Sequence, residues 1–170
     1  DGLYPHTGNY VVRNNTIRNN TFNTENSGGG GVLIQNCSPL VYHNIIAGNS
    51  AWSGAGVWVF HWKFAEDVAA PQPLFINNTI VNNSATGPGG GILVAGSESN
   101  AYLMNNIVWD NSGSSDAQLA TSNGAGVNVR YSIVQGNYSG EGNFDINPML
   151  VADSLSNESP AIGTGTFEYD

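Results

Sequence analysis

Asparagine returns at fixed positions along this chain, and that recurrence limits the folds that the chain can adopt. Five segments align on one frame, and they read RNNTIRNNT (from Arg13), YHNIIAGNS, INNTIVNNS, MNNIVWDNS and RYSIVQGNY. One column contains Asn15, Asn44, Asn78, Asn106 and Ser132, and another contains Asn20, Asn49, Asn83, Asn111 and Asn137. Asparagine is a poor residue for the interior of a helix or strand, so such columns need a structural reason.

A second motif alternates with the first and carries glycine followed by β-branched residues. Its four copies begin at Gly29, Gly54, Gly89 and Gly124, and they read GGGVLI, GAGVWV, GGGILV and GAGVNV. The units recur about every 30 residues, which is typical of repeat architectures. No stretch has the periodicity of a helix, the leucine spacing of leucine-rich repeats is absent, and propeller blades need longer units.

The pattern therefore predicts an all-β fold, a right-handed parallel β-helix (β-solenoid) of about five to six coils. Its apolar columns point inward and stack on their equivalents in neighbouring coils. The two asparagine columns lie at bends, where each carboxamide bonds to the amide of the next coil and so satisfies polar groups that would otherwise be buried unpaired. The nine asparagines of these columns are predicted to be structural ladder residues, at positions where asparagine also tolerates left-handed backbone.

Two longer stretches, SIVQGNYSGEGNFDINPML and SPAIGTGT, complete the pattern near the C-terminus. Together with the GGG[IV] and NNTIxxN units they resemble secreted right-handed parallel β-helix repeat proteins of the pectate-lyase-like superfamily, from Asn9 to about Thr166. The resemblance implies an extracellular or cell-surface location, and it implies that the C-terminal segment closes the last coil. Members of that superfamily include polysaccharide lyases and hydrolases.

The chain is predicted to form a single β-helix domain over residues 1–170. Residues 57–73 and 112–123 are predicted as insertions between strands, and 140–170 as the closing segment. The sequence begins within a repeat unit and shows no amphipathic capping helix, so we expect a fragment or an assembly subunit.

Charge limits the partners that the chain can have. The formal net charge is −9, with Lys63 as the single lysine, so no basic stripe is available for nucleic acid. Apolar runs are far shorter than the ~18 residues that span a bilayer, so no membrane insertion is expected. Cys37 is the only cysteine and is interpreted as a small buried apolar residue.

A catalytic site is not found in the sequence. Lyases need a basic residue with a charge neutraliser, and hydrolases need paired carboxylates, but the columns that contain Arg18 and Asp110 hold no second charged residue. No metal site or cofactor is assigned. Calcium could be bound by Glu141, Asp145 and Asp153 through oxygen ligands, but their spacing matches no known calcium loop, and solvated turns are the favoured explanation of these carboxylates.

Aromatic residues alternate along one segment, at Trp58, Phe60, Trp62 and Phe64. If Val57 and Val59 point into the core, the aromatic side chains point outward, and Trp58 lies between the outward residues of the neighbouring coils. A bare apolar stripe of this kind needs a cover or a ligand. The insertion itself, a partner or neighbouring subunit, and a sugar stacked on the rings are the three alternatives.

Seven N-x-S/T sequons are present in the chain, at Asn14, Asn19, Asn36, Asn77, Asn82, Asn137 and Asn157. Four of them, at Asn14, Asn19, Asn77 and Asn82, fall in columns that tolerate residues of any size and are predicted to face outward. Asn36 and Asn157 are further candidate glycosylation sites, whereas Asn137 falls in a ladder column. N-glycosylation is therefore a hypothesis for six of the seven.

These observations favour a non-enzymatic extracellular structural or adhesive module. Its predicted partner is a second copy of itself, stacked end to end into a filament, or another surface protein, and it could bind glycans. The alternative is a carbohydrate-active β-helix enzyme, either a polysaccharide lyase or a glycoside hydrolase, or a carbohydrate-binding module.

Overall fold

The protein is a parallel β-solenoid, described here from a computed structural model for residues 10–22, 24–62 and 69–166. The first coil contains β1 (Val11–Arg13), β2 (Thr16–Arg18), β3 (Thr21–Phe22) and β4 (Val32–Gln35). The second contains β5 (Leu40–Tyr42), β6 (Ile45–Ala47), β7 (Ser50–Ala51) and β8 (Val57–Phe60). The third contains β9 (Leu74–Ile76), β10 (Thr79–Val81), β11 (Ser84–Ala85) and β12 (Ile92–Ala95).

The later coils contribute fewer strands. The fourth contains β13 (Asn100–Met104), β14 (Ile107–Trp109) and β15 (Leu119–Ser122). The fifth contains β16 (Gly126–Arg130) and β17 (Ile133–Val134), and the chain then forms an antiparallel hairpin of β18 (Leu150–Val151) and β19 (Ser154–Leu155). The solenoid thus has about four complete turns, with a partial fifth, rather than five to six.

Equivalent strands of successive coils pair in parallel and form four sheets. Sheet A has the order β1-β5-β9-β13-β16, sheet B has β2-β6-β10-β14-β17, sheet C has β3-β7-β11, and sheet D has β4-β8-β12-β15. Pairing is in register, so that Ile46 lies beside both Ile17 and Ile80. This register places like residues over like residues, as the repeat predicts.

The core lies between the sheets and is made of the inward apolar columns. Its most buried members include Val41, Ile46, Phe75, Ile80 and Val108, none of which is exposed. In the second coil, the strands of sheets A and D alternate between buried and half-buried residues, because only one face of each strand points into the core. In β8, Val57 and Val59 point inward, and Trp58 is half-buried.

The two asparagine ladders connect the coils through side-chain hydrogen bonds. Asn83 is typical: its Oδ1 accepts from the backbone N–H and the Nδ2 of Asn49, both at 3.0 Å. Its own Nδ2 donates to Ile46 O at 3.0 Å and to Asn111 Oδ1 at 2.9 Å. The same pattern repeats in the first ladder, where Asn44 donates to Asn78. The ladder prediction is confirmed for both columns, with the exception of Asn137.

Left-handed backbone lies one residue before each ladder position, which corrects the assignment of that conformation to the ladder asparagines. The residues with positive φ at the first bend are Asn14, His43, Asn77, Asn105 and Tyr131, and at the second bend they are Asn19, Gly48, Asn82, Asp110 and Gly136. Asparagine adopts this conformation more readily than most residues. Each Asn-Asn doublet is therefore one bend residue followed by one ladder residue.

The fourth glycine motif does not lie in the same sheet as the other three, in contrast to the sequence alignment. Gly126–Arg130 belongs to sheet A, where Val127 pairs with Ala101, and the strand that pairs with β12 is β15. Residues 112–123 are therefore not an insertion, because they include a strand of sheet D. Similarly, residues 57–73 begin with strand β8, and residues 63–68 within that range lie outside the described residues.

Asn137 is not a ladder residue, in contrast to the prediction. It is exposed and has a φ of 65°, and Gln118 takes the expected place by accepting from Asn111 Nδ2 at 2.8 Å. In the first ladder, Asn143 extends the column, because its Oδ1 accepts from the Ser132 N–H at 3.0 Å. Gln118 and Asn143 stand outside the repeat frame, so the alignment alone could not identify them.

The C-terminal segment only partly closes the last coil. Residues 141–144 do so, since Tyr131 N–H donates to Glu141 O and Phe144 pairs with Ile133. Residues 145–166, which we call the strap, instead run back over the outer face of sheet B. The strap packs Leu150 and Ala161 against an outward apolar cluster of Ala47, Val81, Ile107 and Ile133.

The strap also makes polar contacts with three different coils. Asp153 forms an ion pair with Arg18 of the first coil and accepts a hydrogen bond from Asn82 of the third coil at 3.4 Å. In the fourth coil, the Asn105 carboxamide exchanges two hydrogen bonds with the backbone of Thr166, at 2.9 and 3.0 Å. The strap is therefore fixed along most of the length of the solenoid.

Candidate functional site

In the part of the chain that the structure describes, the first coil presents an open edge, at which both ladders end. Asn15 and Asn20 donate to Asn44 and Asn49 of the second coil. Within the described residues, the Oδ1 atoms of Asn15 and Asn20 accept no hydrogen bond. Both side chains are exposed, whereas Asn49 is fully buried. The edge therefore offers two hydrogen-bond acceptors in the geometry that the next coil of a solenoid would use.

Apolar residues of the same coil are also incompletely covered. Val12 and Ile17 are half-buried, although Val41 and Ile46, which occupy the same columns in the second coil, are completely buried. Strands β1, β2 and β3 pair with a neighbour on one side only within the described residues. Unpaired strand edges are sites at which another strand can add.

The opposite end of the solenoid is occupied by the chain itself. Asn143 ends the first ladder and Gln118 ends the second. Phe144 pairs with Ile133 beyond β17, and Tyr138 packs against the core cluster. The two ends thus differ in chemistry: the first coil offers acceptors, and the donors of the last coil are already used.

The outer aromatic row lies on sheet D, as predicted. Trp58 is in register between Leu33 and Leu93, and its ring centroid lies 4.9 Å from that of Phe60. Leu93 also faces outward but is only 4% exposed, because it packs in a cluster with these two rings. The row is therefore largely an outer apolar cluster and not a bare stripe.

Trp62 is the exposed member of the row. The residue is 57% exposed, and its ring meets that of Phe60 edge-on, with centroids 6.0 Å apart. The Asn36 carboxamide fixes its backbone by accepting from Trp62 N–H at 2.7 Å and donating to Trp62 O at 2.9 Å. Phe64 lies outside the described residues. Sugar stacking on this row stays a prediction.

The carboxylates considered for calcium do not come together. Asp153 pairs with Arg18, and Glu141 accepts from the Tyr131 hydroxyl at 2.8 Å. In the described part of the chain, no group of three or more His, Cys, Asp or Glu residues could hold a metal ion. Calcium binding at Glu141, Asp145 and Asp153 therefore has no support from the geometry.

The sequon asparagines differ in the freedom of their carboxamides. Asn14, Asn19, Asn77, Asn82 and Asn157 are all exposed. Among these, Asn82 donates to Asp153, and Asn77 Nδ2 lies 3.1 Å from His43 Nε2. Asn36 is half-buried and holds the backbone of Trp62. A glycan at Asn36 would displace that contact, whereas one at Asn14 would displace none that the structure describes.

Comparison of the chain with family models, curated proteins and solved structures gave no match. The structure defines the chain as a parallel β-solenoid with asparagine ladders, and the likeness to the pectate-lyase-like superfamily remains a resemblance of motifs. Within the described ranges, no helix has the length and apolarity needed to cross a membrane.

Proposed function

We propose that the chain is an extracellular structural module that joins a neighbouring coil-forming segment through the open edge of its first coil. The observation that carries this proposal is a contrast within the ladders. Asn15 and Asn20 are exposed, and their side-chain oxygens accept no hydrogen bond from any described residue, whereas Asn49 and Asn83 are buried and their side-chain oxygens each accept two. The extracellular setting rests on the resemblance to secreted β-helix repeat proteins.

Ladder chemistry specifies the partner. Each ladder Oδ1 accepts from the N–H and the Nδ2 of an asparagine in the preceding coil. A partner for the first coil must therefore offer two asparagine donors at its own edge. Head-to-tail stacking of identical copies requires that Asn143 and Gln118 first release the donors of Ser132 and Asn111 that they occupy. We therefore favour a different coil-forming segment over a filament of identical copies.

An added coil tests this proposal directly. A second copy of residues 74–101, inserted between Tyr10 and Val11, keeps the register because Leu74 pairs with Tyr102 and occupies the same column as Val11. The inserted coil should raise the free energy of unfolding in urea. The matched control is the same insertion with the copies of Asn78 and Asn83 changed to alanine, and it should give a clearly smaller gain.

Two results would contradict the proposal. One is an inserted coil that adds no stability, and the other is an equal gain from the insertion without ladder asparagines. Light scattering on the unmodified chain separates the two kinds of partner. A monomer across a wide range of concentration agrees with a different coil-forming partner, whereas growing filaments would show that identical copies stack.

A further inference from the structure

A cavity lies between the strap and the outer face of sheet B, and neither the repeat nor the open edge accounts for it. Its volume is about 360 Å³, which lies within the range of roughly 300–1,000 Å³ that small-molecule sites occupy. Asn77 and Thr79 contribute from the third coil, Ile107 and Asn105 from the fourth, and the strap covers it with residues 163–166.

The walls of the cavity are held in place by specific contacts. The two hydrogen bonds between Asn105 and Thr166 fix the end of the strap. The strap also approaches closely at Gly165, where a Cβ atom would lie 3.1 Å from Asn105 Cγ. At another side, Tyr131 is held by the hydrogen bond from its hydroxyl to Glu141. The cavity is therefore formed by packed and bonded groups.

The lining that the described residues provide is polar in part and contains no charged side chain. It combines carboxamides and hydroxyls with the phenol ring of Tyr131 and with apolar groups from Ile107, Ile133 and Leu155. An ionised ligand would find no counter-charge among these described residues, and burying an unpaired charge is costly. The net charge of −9 further disfavours anions. An uncharged ligand fits this lining.

Two polar groups of the lining have unused hydrogen-bonding capacity within the described residues. Asn77 Nδ2 lies 3.1 Å from His43 Nε2, but the Oδ1 of Asn77 accepts no hydrogen bond. The hydroxyl of Thr79, a half-buried residue at the start of β10, likewise has no partner. Asn77 and Thr79 are two positions apart in the chain, so one ligand can contact both. Asn77 offers its side-chain oxygen as an acceptor, and the hydroxyl of Thr79 can both donate and accept.

We propose that this cavity binds a neutral, hydroxyl-rich ligand of the size of a monosaccharide or disaccharide. Asn77 and Thr79 bond its hydroxyl groups, and Tyr131, Ile107 and Leu155 contact its apolar faces. This site is separate from the open edge of the first coil. Failure of either proposal therefore leaves the other standing.

Amide chemical shifts in the ¹⁵N-labelled, unmodified chain test the site. The probes are methyl glycosides of glucose, galactose and mannose, the disaccharides cellobiose and lactose, and the charged counterparts glucuronate and glucosamine. At least one neutral probe should shift the amides of Thr79, Gly163 and Gly165, and the charged counterparts should bind more weakly. Thr79→Val should weaken binding of that probe about tenfold, which corresponds to about 1.4 kcal/mol.

The matched control is Thr121→Val, an exposed strand position on sheet D, away from the cavity lining. It should leave the affinity unchanged. Three results would overturn the proposal: no neutral probe shifts the cavity amides, the charged counterparts bind as tightly as the neutral sugars, or the two valine variants behave alike. If only the amide of Trp62 shifted, the sugar would bind at the aromatic row and not in the cavity, and this result would also overturn the proposal.

Discussion

Replacing one buried ladder asparagine should cost far more stability than replacing the exposed end of the same ladder. Asn83→Ala removes four side-chain hydrogen bonds, two accepted from Asn49 and two donated to Ile46 and Asn111. It also leaves the backbone N–H of Asn49 buried without an acceptor. A stranded buried group costs roughly 1–3 kcal/mol and each of the four lost bonds roughly 0.5–1.5 kcal/mol, so we expect a loss of roughly 3–9 kcal/mol.

Asn20→Ala is the matched control. Asn20 donates one side-chain hydrogen bond to Asn49 Oδ1, accepts none within the described residues and is exposed. The Asn49 Oδ1 still accepts from the Asn20 N–H after the change. The expected loss is therefore about 1 kcal/mol.

Asn83→Ser should fall between these two variants. Ser132 occupies a ladder position naturally, and its hydroxyl accepts the Asn106 N–H at 3.0 Å. A serine at position 83 can accept the Asn49 N–H in the same way, but it cannot reach Ile46 and Asn111 together. Equilibrium urea unfolding, followed by circular dichroism and by tryptophan fluorescence, measures all three changes. Equal losses for Asn83→Ala and Asn20→Ala would refute the role of the ladder in stability.

Three further predictions concern the strap, the thiol and the contact between coils. Leu150→Ala removes an apolar contact of the strap and should cost about 1–2 kcal/mol, with faster amide exchange limited to residues 145–166. Burial raises the pKa of the Cys37 thiol, so its alkylation rate should rise with pH only above the range of a free thiol. Because the folded state holds the thiol proton more tightly than the unfolded state does, the stability that this proton contributes is fully present below the ordinary thiol pKa and declines as the pH rises above it. An alkylation rate that depends on pH like that of a free thiol would show that Cys37 is not buried. Gly56→Ala places a Cβ atom 2.5 Å from Gly91 O of the next coil and should cost about 3 kcal/mol, whereas Gly136→Ala meets no atom within 4 Å and should cost about 1 kcal/mol for its left-handed backbone.

The solenoid and its ladders were predictable because they depend on residues that recur. Asn44 and Asn78 occupy equivalent positions in the repeat and make equivalent hydrogen bonds, so the alignment of the repeats already predicts that their carboxamides contact each other. The fourth glycine motif shows the limit of that reasoning. GAGVNV has the same alternation as its three predecessors, but the strand that pairs with β12 is Leu119–Ser122, which has no glycine motif.

The strap could not be predicted from the repeat, because it pairs one non-repeating segment with many coils. A partial signal was present in Val81 and Ile107, which are apolar although they alternate with core residues, and strands that are apolar on both faces are covered on both. That pattern shows that a face is covered but does not identify the cover. The ion pair of Arg18 with Asp153 joins residues 135 positions apart, and nothing local to either residue specifies it.

Native-state hydrogen exchange, measured residue by residue on the unmodified chain, tests the open edge most directly. The backbone amides of Asn44 and Asn78, which donate to ladder oxygens, should exchange only through global unfolding. In β1, every second residue bonds to the second coil, and the amides of Val11 and Arg13 lie between those residues and face the open edge. These two amides should therefore exchange much faster. Protection of Val11 and Arg13 equal to that of Asn44 and Asn78 would show that the first coil is already covered, and it would contradict the account.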